Sequence, residues 1–359
     1  MLRLKHFRLS PFAFRLATAA LTLALPALAT AQTQGRASVA DVALYQGADR
    51  AQRLIEGAKK EGSLSVYTSA TVEDMAVITA AFEKKYGVKV NVYRASSENV
   101  VRRGVAEMRA GRNEADIFET NGPDMESLYR EQLFQEVRSP HLADLVPGAV
   151  APHREWVGAR MNIYVITYNT KLIRKEELPR SFEDLLHPRW KGKLGIEASD
   201  PAWFAMVVND LGEAKGLKLF RDIVAANGIS VRKGHTLLAQ LVVSGEVPMA
   251  LTTYHYKAEQ YKKDGAPVDW LILPPAVARF QGMGLARRSP RPHAAVLFFD
   301  FMLSDAQELL AKRDFTVTSR KVDSAAQRLP LKFVDPKLVL DESEKWGKLY
   351  AEIVTRQSR

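Results

Sequence analysis

The sequence predicts an α/β protein whose strands run largely parallel. Short apolar or alternating runs, such as Ser63–Tyr67 and the trio Val88, Val90 and Val92, recur between segments whose apolar residues fall at three- and four-residue spacing. The first such pair is joined by a helix-length segment, which makes a strand–helix–strand unit of a parallel sheet. A chain of 359 residues also divides more naturally into two domains than one.

Taken in order, Asp49–Lys60 forms a helix with Ala51, Leu54, Ile55 and Ala58 on one side, stopped near Gly62. After the strand Ser63–Tyr67 comes the hydroxyl-rich turn Thr68-Ser69-Ala70-Thr71, where Thr71 and Asp74 fit a capping box. Met75, Ile78, Phe82 and Tyr86 mark the inner face of the next helix, ended by Gly87. A helix over Glu98–Ala110 leads to a strand over Ala115–Glu119, the turn Thr120-Asn121-Gly122 and a helix opened by Pro123. Arg160–Asn169 is a strong strand whose polar residues Arg160, Asn162, Tyr164 and Tyr168 share one parity, as a cleft lining or a solvated face would. Helices are expected over Ala202–Leu211, Gly216–Ala226 and Thr236–Ser244, then strands over Val268–Leu273 and Met283–Ala286. Further helices are expected over His293–Leu303, Asp305–Ala311 and Glu342–Thr355.

Met1–Ala31 has basic residues at Arg3, Lys5, Arg8 and Arg15, an apolar run and a closing Ala29-Thr30-Ala31, the layout of a secretory signal peptide cleaved before Gln32. Its removal takes the formal charge from +10 down by four, to +6. Residues 32–42 read as a flexible leader. The absence of cysteine from the sequence excludes disulfides, thiolate metal sites and attachment through a lipidated N-terminal cysteine. Lys and Arg are scattered without a basic block, so nucleic acid is not an expected partner. No G-x-S-x-G elbow, H-E-x-x-H helix or dinucleotide-binding glycine turn in the right context is present, and no enzymatic activity is expected.

The candidate binding residues lie where strands run into helices. Ser69 and Thr71 sit at one such edge and Asn121 at another, beside helix N-termini that offer N–H groups to an anion. Capping and turn formation explain the same residues without a ligand. Trp203, at a helix start, can stack on a ligand or simply pack. The most distinctive stretch is ALTTYHYKAEQYK, residues 250–262, a buried strand ending in Tyr254, His255 and Tyr256. Of the histidines, only His255 has a local argument for ligand contact. His235 reads as a residue near a helix N-terminus.

The pieces KKEGSLSVYTSAT, AFEKKYGVKVNVYRASSENV, EMRAGRNEADIFETN, SFEDLLHPRWKGKLGI, SGEVPMALTTYHY and SPRPHAAVLFFDFMLSDAQELLA, in that order, resemble the solute-binding proteins of ABC importers, specifically the ferric-ion-type group. The resemblance covers roughly residues 58–311. It implies a two-lobed periplasmic-binding-protein-like fold, each lobe a mixed, mostly parallel sheet flanked by helices and joined by crossing hinge strands. The expected lobes are 43–161 with 270–310, and 162–269 with 311–359. It implies a monomer in the periplasm that takes a small molecule or ion to an inner-membrane permease, with no cofactor required. In ferric-binding relatives adjacent tyrosines after this strand ligate iron as phenolates. Tyr254 holds the first position, His255 stands where many members have the second tyrosine, and Tyr256 is one step further on. No histidine or arginine adjoins Thr71, where relatives often carry one. Ferric ion held by Tyr254, Tyr256 and His255 is therefore one expected cargo. A small organic or phosphorylated anion, held by hydroxyls, helix N-termini and Arg160 with Tyr164 nearby, is the other.

Overall fold

Ser38 caps α1 (Val39–Ala43), the first helix of the described residues. The Ser38 hydroxyl accepts from the Asp41 amide, and the Asp41 carboxylate accepts from the Ser38 amide. The computed structural model describes residues 37–356. The expected signal peptide and residues 32–36 of the expected leader lie outside that range. From Ser38 onward the leader is not loose: Val42 and Ala43 are buried, since two apolar side chains on one short helix face find a core to enter.

The first sheet unit follows the predicted order. It runs α2 (Arg50–Glu61), β1 (Ser63–Thr68), α3 (Val72–Tyr86), β2 (Lys89–Arg94), α4 (Ser97–Arg109), β3 (Ile117–Asn121) and α5 (Gly122–Arg130). β1 lies between β2 and β3, parallel to both. Thr71 caps α3 by accepting from the Asp74 amide, and Asn121 caps α5 by accepting from the Asp124 amide. After β4 (Phe134–Gln135) comes β5 (Val157–Asn169), buried along its whole length. Next come β6 (Leu194–Glu197), α6 (Pro201–Asp210), α7 (Glu213–Asn227), β7 (Ser230–Arg232), α8 (His235–Ser244), β8 (Met249–Tyr254), α9 (His255–Lys263) and β9 (Val268–Leu271). The chain closes with β10 (Ala276–Ala286), α10 (Pro292–Leu303), α11 (Asp305–Ala311), β11 (Thr316–Val317), β12 (Leu331–Phe333), α12 (Pro336–Asp341) and α13 (Ser343–Tyr350).

The main strand order is β2-β1-β3-β10-β5-β8-β6-β7. β5 joins its two halves. Residues from Val157 to Ile163 pair antiparallel with β10, and those from Tyr164 onward pair antiparallel with β8 and β9. β6 runs parallel to both β8 and β7. A buried thirteen-residue strand can serve two sheet halves because its register shifts partway along: between Gln281 and Gly282 on the β10 side, and between Val165 and Thr167 on the β8 side. The first shift needs Gly282, since a Cβ there would stand 2.6 Å from Met125 and 2.9 Å from Trp156.

Two expectations are corrected. The strand expected over Met283–Ala286 begins seven residues earlier, at Ala276. Its first half lacks an alternating pattern because Arg279 and Gln281 serve a polar cleft while their neighbours are buried. The terminal helix expected over Glu342–Thr355 is α13 followed by a π-helical turn, Ala351–Thr355. α12 packs on α5 and α13 on α6, so the C-terminal segment touches helices on both halves of the sheet.

Candidate solute-binding cleft

Four of the strands described above, β1, β3, β6 and β8, end at one cleft, and several helices begin there. Its cavity encloses 370 Å³, within the range of small-molecule sites. On one side Ser69, Thr71 and Asn121 line it beside the starts of α3 and α5, with Arg94 and Ser96 near the start of α4. On the other, Glu197, Ser199, Gly234 and His235 surround the starts of α6 and α8. The N-cap residues of α4, α6, α8 and α9 make no side-chain capping hydrogen bond of their own. Helix starts of this kind present N–H groups and the positive end of the helix dipole to a ligand.

The floor is a buried polar network. The Thr68 hydroxyl donates to the Glu119 carboxylate, and the Arg160 guanidinium donates to Glu119 at 3.1 Å and to Asn162 Oδ1 at 3.0 Å. Asn162 Nδ2 donates to Gln281 Oε1 at 3.2 Å, and Gln281 Nε2 to Ser69 Oγ at 2.9 Å. β1, β3, β10 and the first part of β5 are thus tied together through side chains that are satisfied one by another. Arg160 reaches the cleft, yet its charge is balanced by Glu119 and its plane lies over Phe315, 4.7 Å from the ring centroid. As the cleft's anion-attracting charge it is replaced by a residue that the sequence reading missed.

That residue is Arg279. It lines the cleft, donates to the Tyr254 hydroxyl and lies over the rings of Tyr164 and Tyr254, with its carbon 5.4 Å and 5.5 Å from the centroids. Its Nε is buried without a partner. Among the described residues no carboxylate lies within salt-bridge distance of it. Burial works against its charge, but the oxygens of Tyr164 and Tyr254 and the carboxylates of Asp200 and Asp124 outweigh burial and keep it firmly cationic. Its sequence signal was the parity shared with Gln281, hidden by the missed start of β10.

The aromatic wall assembles around Tyr254. Its ring lies 5.3 Å from Tyr164, 4.0 Å from His235 and 6.0 Å from Tyr256, the last pair stacked. Tyr254 and Tyr256 both line the cleft; Tyr164 lies behind, donating to Asp200 Oδ1 at 3.3 Å. Burial raises all three phenols, Tyr256 to about 12 and the other two further, so they are neutral donors at physiological pH. His255 turns away. Its ring packs edge-on to Trp270 at 4.8 Å, and burial lowers its basicity. Adjacent residues at a strand end face opposite sides, which separates it from Tyr254. Trp203 is also absent from the cleft: it is 4% exposed and packs edge-on to Phe182 and Phe220 in the core. The start of α6 does border the cleft, but that helix turns its indole inward.

Acidic groups occupy the same space. Asp124 is raised to about 6 by burial, against the pull of Arg279 and the Asn121 amide. Burial and the nearby Asp200 raise Glu197, while His235 and Arg279 overcome burial to hold Asp200 below its ordinary value. The arrangement suits an anion or a polar organic solute, with phenols, hydroxyls, backbone N–H groups and the cationic heads of Arg279, Arg94 and Lys233, none of them in an ion pair among the described residues, as donors. Tyr254 and Tyr256 are also the groups that could ligate a metal as phenolates.

A polar cleft between two halves of a mixed sheet, joined by β5, defines a two-lobed binding protein. Residues 65–309 match the family described as bacterial extracellular solute-binding proteins, and the chain belongs to it. It is 26% identical over 287 residues to the Fe(3+)-binding periplasmic protein of Serratia marcescens, covering 76% of this chain and 84% of that one. Among solved structures it is similar to iron-bound HitA from Pseudomonas aeruginosa, with a TM-score of 0.68, 21% identity and coverage of 81% and 99% of the two chains. It is similar also to AfuA from Actinobacillus pleuropneumoniae with fructose-6-phosphate bound, with a TM-score of 0.73, 20% identity and coverage of 82% and 99%. At these identities the structural likeness speaks for the fold.

Proposed function

We propose that this protein is the solute-capturing subunit of an ABC importer, working in the periplasm as a monomer and carrying a small organic or phosphorylated anion to an inner-membrane permease. The lobes follow the expected division, 43–161 with 270–310 and 162–269 with 311–359, except that residues 311–341 are assigned to the first lobe, since β11 pairs with Arg160 and Met161 of β5, β12 pairs with β10 and α12 packs on α5. They close on the solute because the closed form makes contacts that the open form lacks. Ser69, Thr71, Asn121, Tyr254 and Tyr256 donate or accept hydrogen bonds, and Arg279 supplies the charge. The observation that carries this reading is Arg279: a cleft-lining guanidinium hydrogen-bonded to Tyr254, with no carboxylate in salt-bridge distance among the described residues. A cationic ligand on the same phenol oxygen would face that charge directly. The protein catalyses no reaction in this reading, as expected of a carrier.

Ferric ion is the second reading. It is favoured by the stacked pair Tyr254 and Tyr256 on one wall and by the ferric-binding name of the Serratia relative. A thermal-shift screen of the mature protein separates the two. The probes are fructose 6-phosphate, other phosphate esters, phosphonates and carboxylates, alongside ferric ion with and without citrate or carbonate. A ligand that binds only the folded state raises the melting temperature. The expected result is a shift with an organic or phosphorylated anion. A shift with ferric ion alone, accompanied by a visible phenolate–iron band that vanishes in Tyr254→Phe, would refute the anion reading.

A further inference from the structure

Glu197, Asp200 and His235 converge at the cleft wall, each offering one donor atom, all within 4.8 Å of one another. Their surroundings fix their roles. His235 Nδ1 lies 3.2 Å from the carbonyl oxygen of Thr252, which can only accept, so Nδ1 carries the proton of that bond. This leaves Nε2 facing Asp200 Oδ1 at 3.4 Å. Asp200 is fully buried and its other oxygen, Oδ2, has no hydrogen-bond partner. Glu197 is held in place by the backbone amides of Gly234, at 2.9 Å, and Ser199, which leave lone pairs on both carboxylate oxygens. Glu197 and His235 line the cleft, so an ion can reach the cluster from solvent.

We propose that Glu197, Asp200 and His235 form a binding site for a divalent transition-metal ion of the zinc type, on the wall of the same cleft and beside Tyr254. His235 Nε2 and Asp200 Oδ1 at 3.4 Å share either a proton or, in its place, a metal ion, and an imidazole whose second nitrogen donates to a backbone carbonyl is the usual state of a metal-bound histidine. Tetrahedral ligands about 2.1 Å from zinc stand about 3.4 Å apart, the spacing His235 and Asp200 already have. One imidazole and two carboxylates with the fourth position toward the cleft is a zinc-compatible set. Asp200 Oδ2, otherwise unsatisfied, gains the charge it lacks.

The test uses the mature protein without a histidine tag, dialysed against chelator and titrated with Zn²⁺ by calorimetry, with bound metal measured by elemental analysis. One zinc per chain is expected, with a raised melting temperature. Asp200→Asn and His235→Gln each weaken binding by about 100-fold or more, beyond the 10–100-fold cost of losing an outer-shell partner, while His187→Gln, on an exposed histidine, leaves it unchanged. Melting curves without metal show whether each variant is folded. Nitrogen-15 NMR of the His235 ring gives a second reading, with Nε2 metal-bound and Nδ1 protonated. Absence of stoichiometric zinc, equal binding in all three variants, or a His235 ring with both nitrogens protonated in excess zinc overturns the proposal.

Discussion

Replacing Arg279 with methionine separates the two cargo readings by sign. The guanidinium reaches Tyr254 and has no carboxylate in salt-bridge distance among the described residues, so its remaining donors are available to a solute. A hydrogen bond to a charged group contributes about 1.5–3 kcal/mol, and a guanidinium commonly makes two to one anionic group. Arg279→Met should therefore cost about 3–4 kcal/mol of anion affinity, or several hundred-fold in Kd. For a ferric ion on the Tyr254 oxygen the same change has the opposite effect. A +1 charge about 4 Å from a +3 ion is repelled by about 3 kcal/mol even at the dielectric of water, so its removal strengthens iron binding. Isothermal titration with fructose 6-phosphate, citrate and inorganic phosphate, and separately with ferric ion, reads both arms. Arg279→Lys keeps the charge without the planar fork and should fall between wild type and Met for an anion. Anion affinity unchanged in Arg279→Met, in a variant that melts like the wild type, would refute the reasoning.

Two further outcomes follow from the packing and the charges. Asp124 has its folded pKa raised to about 6 from 3.8. Its contribution to stability is therefore fully present below pH 3.8 and lost as pH rises through 6. Asp124→Asn should stabilise the protein by about 1–2 kcal/mol above pH 7, allowing for partial solvent exposure, with the gain vanishing below pH 4. Denaturant melts across that range check it, and the same variant should bind an anion several-fold tighter at neutral pH because one like charge has left the cleft. Gly216 opens the contact between α7 and α6, where a Cβ would meet the Val208 backbone at 2.8 Å. Since backbone cannot give way as a flexible side chain does, Gly216→Ala should destabilise by about 1–3 kcal/mol in a thermal or urea melt, despite alanine's better helix propensity.

Local signals explain how much of the fold could be read along the chain. Thr71 and Asn121 announce α3 and α5 because a cap is settled within three residues. The periodic Met75, Ile78 and Phe82 are buried together for the same short-range reason. Tyr254 and Tyr256 stood out because polar rings at the end of an apolar strand are unusual in themselves. His255 and Trp203 were misleading on those grounds. Their environments come from Trp270 in one case and from Phe182 and Phe220 in the other, and no local pattern reports which way a ring turns.

By itself the sequence determined most of the elements, the parallel strand–helix–strand units and the strand ends where a ligand would sit, because caps, periodicity and turn residues act over a few positions. The antiparallel pairing of β5 and β10 with their neighbours came from the tertiary structure. Tertiary structure alone decided the charge of the cleft. Arg160 and Arg279 are both strand arginines, yet one meets Glu119 across 41 residues and the other meets Tyr254 and remains without a carboxylate partner. The same holds for Asp200 and His235, which become neighbours only when β6 and β7 pair and carry the starts of α6 and α8 to one wall. Whether a charge is neutralised or left available depends on which strands lie side by side, and that is fixed by pairing and packing over the whole sheet.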